Sequence, residues 1–183
     1  MKSNLYVGLV HHPVYNKDFD IVTTSITNLD IHDIARSCKT FGIANYFIIN
    51  PLITQEKLLS RIQKFWNSEI AMKYNSDRVD ALSIVKYAKT IDECRKNIKN
   101  QEGENPIIIS TTALQRNGQI KFQDINSIMS PVLLLFGTGN GLTEDIHKMS
   151  DFVLTPIKGV NNYNHLSVRS AVAIVLEKLT SEK

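Results

Sequence analysis

A glycine-rich turn close to the end of the chain constrains the fold more than any other feature. The turn reads FGTGNGL at residues 136–142, and it follows the apolar run at residues 132–135 of a chain of 183 residues. Glycines after a buried strand let the backbone turn sharply and approach a ligand without interference from a Cβ atom. Such turns often hold nucleotide-like cofactors. The late position of the turn decides which cofactor-binding folds remain.

That position argues against an ordinary dinucleotide-binding site. In such folds the glycine turn follows the first strand, and an acidic residue at the end of the next strand holds the ribose. Here only one short strand candidate, residues 152–157, and one helix follow the turn. A phosphate-binding loop would need Gly-Lys before Ser or Thr, whereas Leu142 and Thr143 follow Gly141. A nicotinamide-dependent dehydrogenase is therefore the weakest alternative.

The composition is typical of one domain. The apolar content of 43% supports one sizeable core, and no linker or repeat divides residues 1–183, so we expect a single domain. The N-terminal apolar run is too short for a signal peptide, and no segment approaches the roughly 20 apolar residues of a membrane span. We therefore expect a cytoplasmic protein without membrane contact. Cys38 and Cys94 lie outside any CxxC pattern, which predicts free thiols, at least one of them buried, and no metal site.

Positive charge is concentrated in the middle of the chain. The net charge is only +3, but residues 57–99 hold ten Lys or Arg against five Asp or Glu. One interpretation is a set of solvated helical faces. The other is a surface that meets the phosphates of a nucleic acid, with the aromatic side chains of Trp66 and Tyr74 close by.

Hydrophobic periodicity predicts alternating strands and helices. The predicted strands are residues 5–10, 46–49, 84–88, 106–110, 131–136 and 152–157. The predicted helices are residues 30–41, a helix capped by Thr54, a helix opened by a Thr90–Glu93 capping box, residues 124–129, a short helix capped by Thr143, and a last helix from Val168 to Leu179. Residues 68–83 are ambiguous and compatible with a further helical piece. Apolar strands buried on both faces favour an α/β domain with a mainly parallel sheet flanked by helices.

Four segments together resemble a known family. LLLFGTGNGL (133–142), LTPIKG (154–159) and YNHLSVRSAVAIVLEKL (163–179) are similar to the cofactor-binding end of SPOUT-class RNA methyltransferases. NLDIHDIARSCKTFG (28–42) resembles the first motif of the branch that methylates tRNA and rRNA. The resemblance implies S-adenosyl-L-methionine as the cofactor, an RNA substrate, a C-terminal deep trefoil knot and a homodimer.

The resemblance also implies where the cofactor binds. It assigns the cofactor to loops that follow three late strands and to the start of the last helix. Glycines there let backbone amides reach the cofactor, apolar side chains sandwich the adenine, and Asn164 either fixes a polar edge or caps the helix. The expected cofactor-binding residues are Ser110, Thr111, Thr112, Gly137, Thr138, Gly139, Asn140, Gly141, Leu142, Leu154, Pro156, Ile157, Gly159, Asn164, His165, Leu166 and Val168.

Arg36, His32 and Arg169 are the candidate catalytic residues. Arg36 matches the arginine of the first motif, which the resemblance links to activation of the target; a guanidinium suits a phosphate or developing negative charge better than proton removal. His32 and Asp33 stand where many relatives have small residues, which makes His32 a candidate base, although Arg36 and Asp33 could simply form a helical ion pair. Arg169 is a candidate for contact with cofactor or RNA phosphate, or for an ion pair with a carboxylate.

These observations predict methyl transfer from S-adenosylmethionine to a base nitrogen or a ribose 2′-oxygen of tRNA or rRNA. An alternative from another class is a protein that binds the cofactor and RNA without transferring a methyl group. That alternative is favoured by His32 and Asp33, which stand where many members of the resembled family have small residues.

Overall fold

A computed structural model describes residues 4–161 and 163–181. Six parallel strands form one sheet in the order β5-β4-β1-β7-β6-β8, and β2 and β3 form a separate antiparallel hairpin. The strands are β1 (Leu5–Val10), β2 (Val14–Tyr15), β3 (Ile21–Val22), β4 (Asn45–Ile49), β5 (Val85–Ala88), β6 (Ile107–Ser110), β7 (Val132–Gly137) and β8 (Phe152–Val153). The helices are α1 (Asn28–Thr40), α2 (Ile53–Trp66), α3 (Glu69–Tyr74), α4 (Ser76–Ser83), α5 (Ile91–Glu102), α6 (Phe122–Ile125), α7 (Glu144–Met149) and α8 (Val168–Ser181).

Both faces of the sheet are covered, which explains why its central strands are apolar without alternation. Val7 and Leu9 of β1 point into a cluster with α1, α2, α4 and α8. Tyr6 and Val10, on the opposite face, pack with residues of α5 and α7. The predicted α/β fold with a mainly parallel sheet flanked by helices is confirmed.

Helix α1 forms as its apolar spacing predicts. Its buried side chains are Ile31, Ile34, Ala35 and Cys38. The Thr27 hydroxyl accepts the Asp30 backbone N–H and caps the first turn. The chain leaves the helix through Gly42, whose φ of +70° favours glycine. Cys38 and Cys94 are both free and buried, as expected.

Several predicted boundaries are wrong. Helix α2 begins at Ile53 after an extended Leu52 that makes no side-chain cap, so Thr54 lies inside the first turn instead of capping it. Helix α6 occupies residues 122–125, earlier than the predicted 124–129. Strand β8 ends at Val153 because Leu154 makes only an isolated bridge, to Ile120. Thr143 does precede α7, but its hydroxyl makes no cap hydrogen bond.

The ambiguous stretch at residues 68–83 is helical, as α3 and α4. The β2–β3 hairpin was not predicted, because strands of two residues carry no readable periodicity. No helix among the described residues is long and apolar enough to cross a membrane.

Candidate functional site

The loops that follow β6, β7 and β8 converge at one edge of the sheet. These strands are parallel neighbours, so their carboxyl ends meet there, which is where open α/β sheets bind ligands. A cavity of about 760 Å³ lies between these loops and the start of α8. The predicted residues that line it are Thr111, Thr112, Gly137, Thr138, Gly139, Asn140, Gly141, Leu142, Leu154, Ile157, Asn164, His165, Leu166 and Val168.

Three predicted cofactor-binding residues, Ser110, Pro156 and Gly159, do not line this cavity. Ser110 is buried at the end of β6, with its Oγ 2.9 Å from Nδ1 of His147. Burial lowers the pKa of His147, which therefore stays neutral at neutral pH. Ser110 thus acts indirectly, by hydrogen bonding to His147, which lines the cavity.

The glycine turn is closed by contacts that exclude side chains. A Cβ on Gly137 would lie 2.7 Å from the backbone nitrogen of Leu142, on the returning side of the turn. Gly139 has a φ of +58°, and a Cβ there would lie 2.7 Å from the carbonyl oxygen of Tyr15. The same oxygen accepts a hydrogen bond of 2.7 Å from the backbone N–H of Asn140. The hairpin therefore holds the turn against the sheet edge.

The hairpin and its flanks add cavity residues that sequence reasoning missed. Tyr15, Phe19 and Thr24 line the cavity from this side. Nothing in the local sequence pattern showed that the chain after β1 folds back over a turn more than a hundred residues later. The missed ionisable residues of the lining, apart from Tyr15, are Asp30, Arg116, Glu144 and His147.

A directed chain of hydrogen bonds lies beneath the turn. The Thr138 hydroxyl donates to the carbonyl oxygen of Val10 at 3.1 Å, so it accepts from the Thr24 hydroxyl at 2.5 Å. Thr24 in turn accepts from Nδ1–H of His11 at 2.9 Å. Burial lowers the pKa of His11 to about 4, so the ring is neutral at neutral pH. The network fixes Thr138 within the turn.

An ion pair marks the rim of the cavity. The Arg116 guanidinium contacts both carboxylate oxygens of Glu144 at the start of α7. This hydrogen bonding holds the pKa of Glu144 below its usual range. The pair ties the loop after β6 to the helix after the glycine turn.

Arg169 forms the ion pairs that the sequence left as one alternative. Its Nη1 lies 3.6 Å from Oδ1 of Asp30, and its Nε lies 3.6 Å from Oδ2 of Asp33. Asp30 also lines the cavity, although Arg169 does not. The guanidinium therefore connects the start of α8 to the helix that forms one wall of the cavity.

Arg36 and His32 lie on α1 outside the cavity lining. Arg36 is exposed and makes no ion pair within residues 4–161 and 163–181; Asp33, its possible helical partner, pairs with Arg169 instead. His32 lines a separate groove, and burial together with the charge of Arg78 lowers its pKa. The structure thus brings most of the predicted cofactor residues together at one cavity, whereas Arg36, His32 and Arg169 all lie outside its lining.

The cavity fits a nucleoside-type cofactor such as S-adenosylmethionine. Its volume lies within the roughly 300–1,000 Å³ of small-molecule sites. Leu142 and Leu154 supply buried apolar surface for an aromatic base, and the Thr111 and Thr138 hydroxyls and the Asn164 amide lie among the polar groups of the lining. The glycine turn also lets a ligand approach the backbone directly.

Comparison with known proteins agrees with this geometry. A family model described as SAM-dependent RNA methyltransferase matches residues 4–181. A protein of Oleidesulfovibrio alaskensis named tRNA (guanine-N(1)-)-methyltransferase is 40% identical over 98% of this chain, which spans only 42% of that relative's length. An uncharacterized protein of Aquifex aeolicus is 35% identical, with 99% of this chain and 90% of the relative covered.

The fold is also found among solved structures. The SpoU methyltransferase AviRb from Streptomyces viridochromogenes, determined in complex with the cofactor AdoMet, matches with a TM-score of 0.59 and 15% identity, covering 100% of this chain and 58% of its own. At that identity the likeness shows the fold alone. The family match extends over nearly the whole chain and agrees with the motifs around the cavity. The chain therefore belongs to the S-adenosylmethionine-dependent RNA methyltransferase family.

Proposed function

We propose that this protein transfers a methyl group from S-adenosylmethionine to a nucleotide of tRNA or rRNA, at a base nitrogen or a ribose 2′-oxygen. The observation that carries the proposal is the cavity at the sheet edge, with its glycine turn sealed by the hairpin and one wall formed by α1. The relative named tRNA (guanine-N(1)-)-methyltransferase favours tRNA. Because this chain spans 42% of that longer protein, guanine N1 is one candidate target among several.

The chain's own contribution to the reaction is mainly positioning. S-adenosylmethionine, when bound, supplies an electrophilic methyl group. Alignment of a nucleophile lowers a barrier by up to roughly 7–11 kcal/mol, whereas one general base contributes about 10²–10⁴-fold in rate. The turn at Gly137–Gly141 and the start of α8 line the cavity that would hold the cofactor. Helix α1 lies between this cavity and the outer surface of the protein.

Arg36 is the residue that we assign to the RNA side. Its exposed guanidinium has no carboxylate partner within the described residues, so it is available for a phosphate or for negative charge that develops on the target. We expect Arg36→Ala to abolish methyl transfer while the affinity for S-adenosylhomocysteine, measured by isothermal titration, stays unchanged. Arg36→Lys is the matched control and should retain partial activity, because it keeps the charge. An equal loss of cofactor affinity in Arg36→Ala would refute the assignment.

Arg169 has a different role in this proposal. Its two ion pairs hold α1 at the start of α8, so it positions Asp30 on the cavity wall without contacting the methyl group. His32 faces the outer groove, which favours a contact with RNA over a contact with the cofactor. Neither residue then acts on the cofactor directly.

The family resemblance supports three further parts of the proposal. They are a deep trefoil knot around the C-terminal loops, a homodimer and a cytoplasmic location. The converging loops after β6, β7 and β8 are compatible with the knot. Sedimentation equilibrium tests the dimer, which should give twice the mass of the chain.

The alternative is a protein that binds cofactor and RNA without transferring a methyl group. The outward position of Arg36 and His32, away from the cavity lining, is the observation that favours it. Incubation with methyl-labelled S-adenosylmethionine and RNA from cells that lack the gene separates the two functions. Label in the RNA supports the enzyme, and binding without label supports the alternative.

A further inference from the structure

A second depression lies on the outer side of α1, apart from the cofactor cavity. It is a groove of about 580 Å³ between α1, α2 and α4. Its lining includes His32, Arg61, Phe65, Trp66 and Arg78. None of them lines the cofactor cavity.

The groove exposes an aromatic surface. Phe65 is 52% exposed, whereas its neighbour Trp66 on α2 is buried. Its ring meets Trp66 edge-on, with centroids 5.3 Å apart and an interplanar angle of 86°. The His32 ring also meets Trp66 at a steep angle, with centroids 5.3 Å apart. The Phe65 ring is thus held by Trp66 at its edge while much of its own surface stays accessible.

Positive charge accompanies the aromatic surface. Arg78 lies over the Trp66 ring at 5.3 Å from its centroid, and Arg61 is exposed one turn before Phe65. Neither guanidinium has an ion-pair partner among residues 4–161 and 163–181. Nε of Arg78 and Nδ1 of His32 are buried and have no hydrogen-bond partner among the described residues. The one carboxylate of the groove, that of Asp33, is engaged by Arg169.

The first turns of α1 separate the groove from the cofactor cavity. Thr27 and Asp30 line the cavity, whereas Asn28, Leu29 and His32 line the groove. An RNA strand that presented one nucleotide to the cofactor cavity would therefore bring a neighbouring nucleotide towards the groove.

We propose that this groove binds an unstacked nucleobase of the substrate RNA, stacked on Phe65, with Arg61 and Arg78 facing the adjacent phosphates. The proposal rests on the proposed function and names a subsite for its substrate. Aromatic rings with cationic neighbours are the usual platform for single-stranded RNA, because every base has a π-face and every nucleotide a phosphate. The two arginines favour RNA over an apolar protein surface as the occupant.

The chain provides its own reporter for this site. Trp66 is the only tryptophan, so tryptophan emission, excited at a wavelength where the six tyrosines absorb little, reports on the groove. The probe is a single-stranded RNA of about eight nucleotides, titrated with S-adenosylhomocysteine present. We expect the RNA to change the emission of Trp66 and to bind less tightly as salt rises.

Matched variants on α2 localise the binding. Phe65→Ala should weaken RNA binding about 10-fold, and Arg61→Gln should reduce the salt slope by about one. Leu58→Ala and Lys64→Gln, exposed on the same helix but outside the groove, should bind RNA like the wild type. All four side chains are exposed, so the variants should fold, and circular dichroism checks this.

Three results would overturn the proposal. RNA binding with no change in Trp66 emission would place the RNA elsewhere, as would equal binding by Phe65→Ala and Leu58→Ala. A change in emission with protein concentration alone would show that a second copy of the chain covers the groove. Methyl transfer is measured separately: its absence would contradict the proposed function, whereas RNA binding in the groove would still be read from Trp66.

Discussion

Replacing Gly139 with alanine tests the role of the glycine turn. The φ of +58° costs an alanine about 1–2 kcal/mol, because the left-handed region brings Cβ against the backbone. The new Cβ would also lie 2.7 Å from the carbonyl oxygen of Tyr15, so that oxygen must move and its hydrogen bond from Asn140 weakens, at about 1 kcal/mol. We therefore expect a loss of about 2–3 kcal/mol in the free energy of unfolding.

The control is Gly42→Ala at the end of α1. Gly42 has a φ of +70°, but no heavy atom lies within 4 Å of its Cβ position. Gly42→Ala should therefore lose about 1–2 kcal/mol in the free energy of unfolding, the cost of the left-handed backbone conformation alone. Urea unfolding measures both variants, and isothermal titration with S-adenosylhomocysteine measures the site.

Displacement of the turn should weaken cofactor binding by at least about 10-fold in Gly139→Ala, whereas Gly42→Ala should bind like the wild type. Equal affinity in Gly139→Ala and Gly42→Ala would refute the reasoning, because the contact with Tyr15 is what distinguishes the two positions.

Three further predictions concern the residues that support the site. Arg169→Met should lower the free energy of unfolding by about 1–2 kcal/mol, because it leaves the half-buried Asp30 carboxylate without its ion-pair partner. Urea unfolding measures this change, and unchanged stability would contradict a stabilising role for the ion pair. The pKa of His11 is about 4 in the folded protein and about 6.5 when exposed, so the unfolded chain binds more protons between these values. His11 therefore lowers the free energy of unfolding by up to about 3 kcal/mol as the pH falls from about 6.5 to about 4. In His11→Gln the free energy of unfolding should fall less steeply over this range, and a pH profile identical to that of the wild type would contradict this. Ser110→Ala should cost about 1 kcal/mol by removing the partner of His147, with cofactor affinity reduced less than in Gly139→Ala; a larger reduction would show that Ser110 contacts the cofactor.

The sequence predicts those parts of the fold in which burial follows a regular period. The continuous apolar runs of β1 and β7 are buried on both faces, and the spacing of Ile31, Ile34 and Cys38 sets the buried face of α1. Boundaries are less predictable where side chains and backbone compete. Leu52, for example, precedes α2 because Asn50 accepts its N–H, a contact that no periodicity reveals.

The candidate site is predicted as far as local motifs reach. The glycine turn and the start of α8, which the resemblance assigns to the cofactor, line the same cavity. The contributions of Tyr15 and Thr24 depend on a hairpin that contacts a turn far along the chain, so only the three-dimensional structure shows them. The pairing of Arg169 with both Asp30 and Asp33 is likewise a long-range contact.

Methyl transfer to RNA is the most direct test of the central claim, that the cavity beside the glycine turn serves an RNA methyltransferase. Purified protein would be incubated with methyl-labelled S-adenosylmethionine and RNA from cells that lack the gene, and the nucleosides separated by mass spectrometry. We expect label in a specific tRNA or rRNA nucleoside with the wild type, and none with Arg36→Ala. Binding of S-adenosylhomocysteine without label in any RNA would contradict the account.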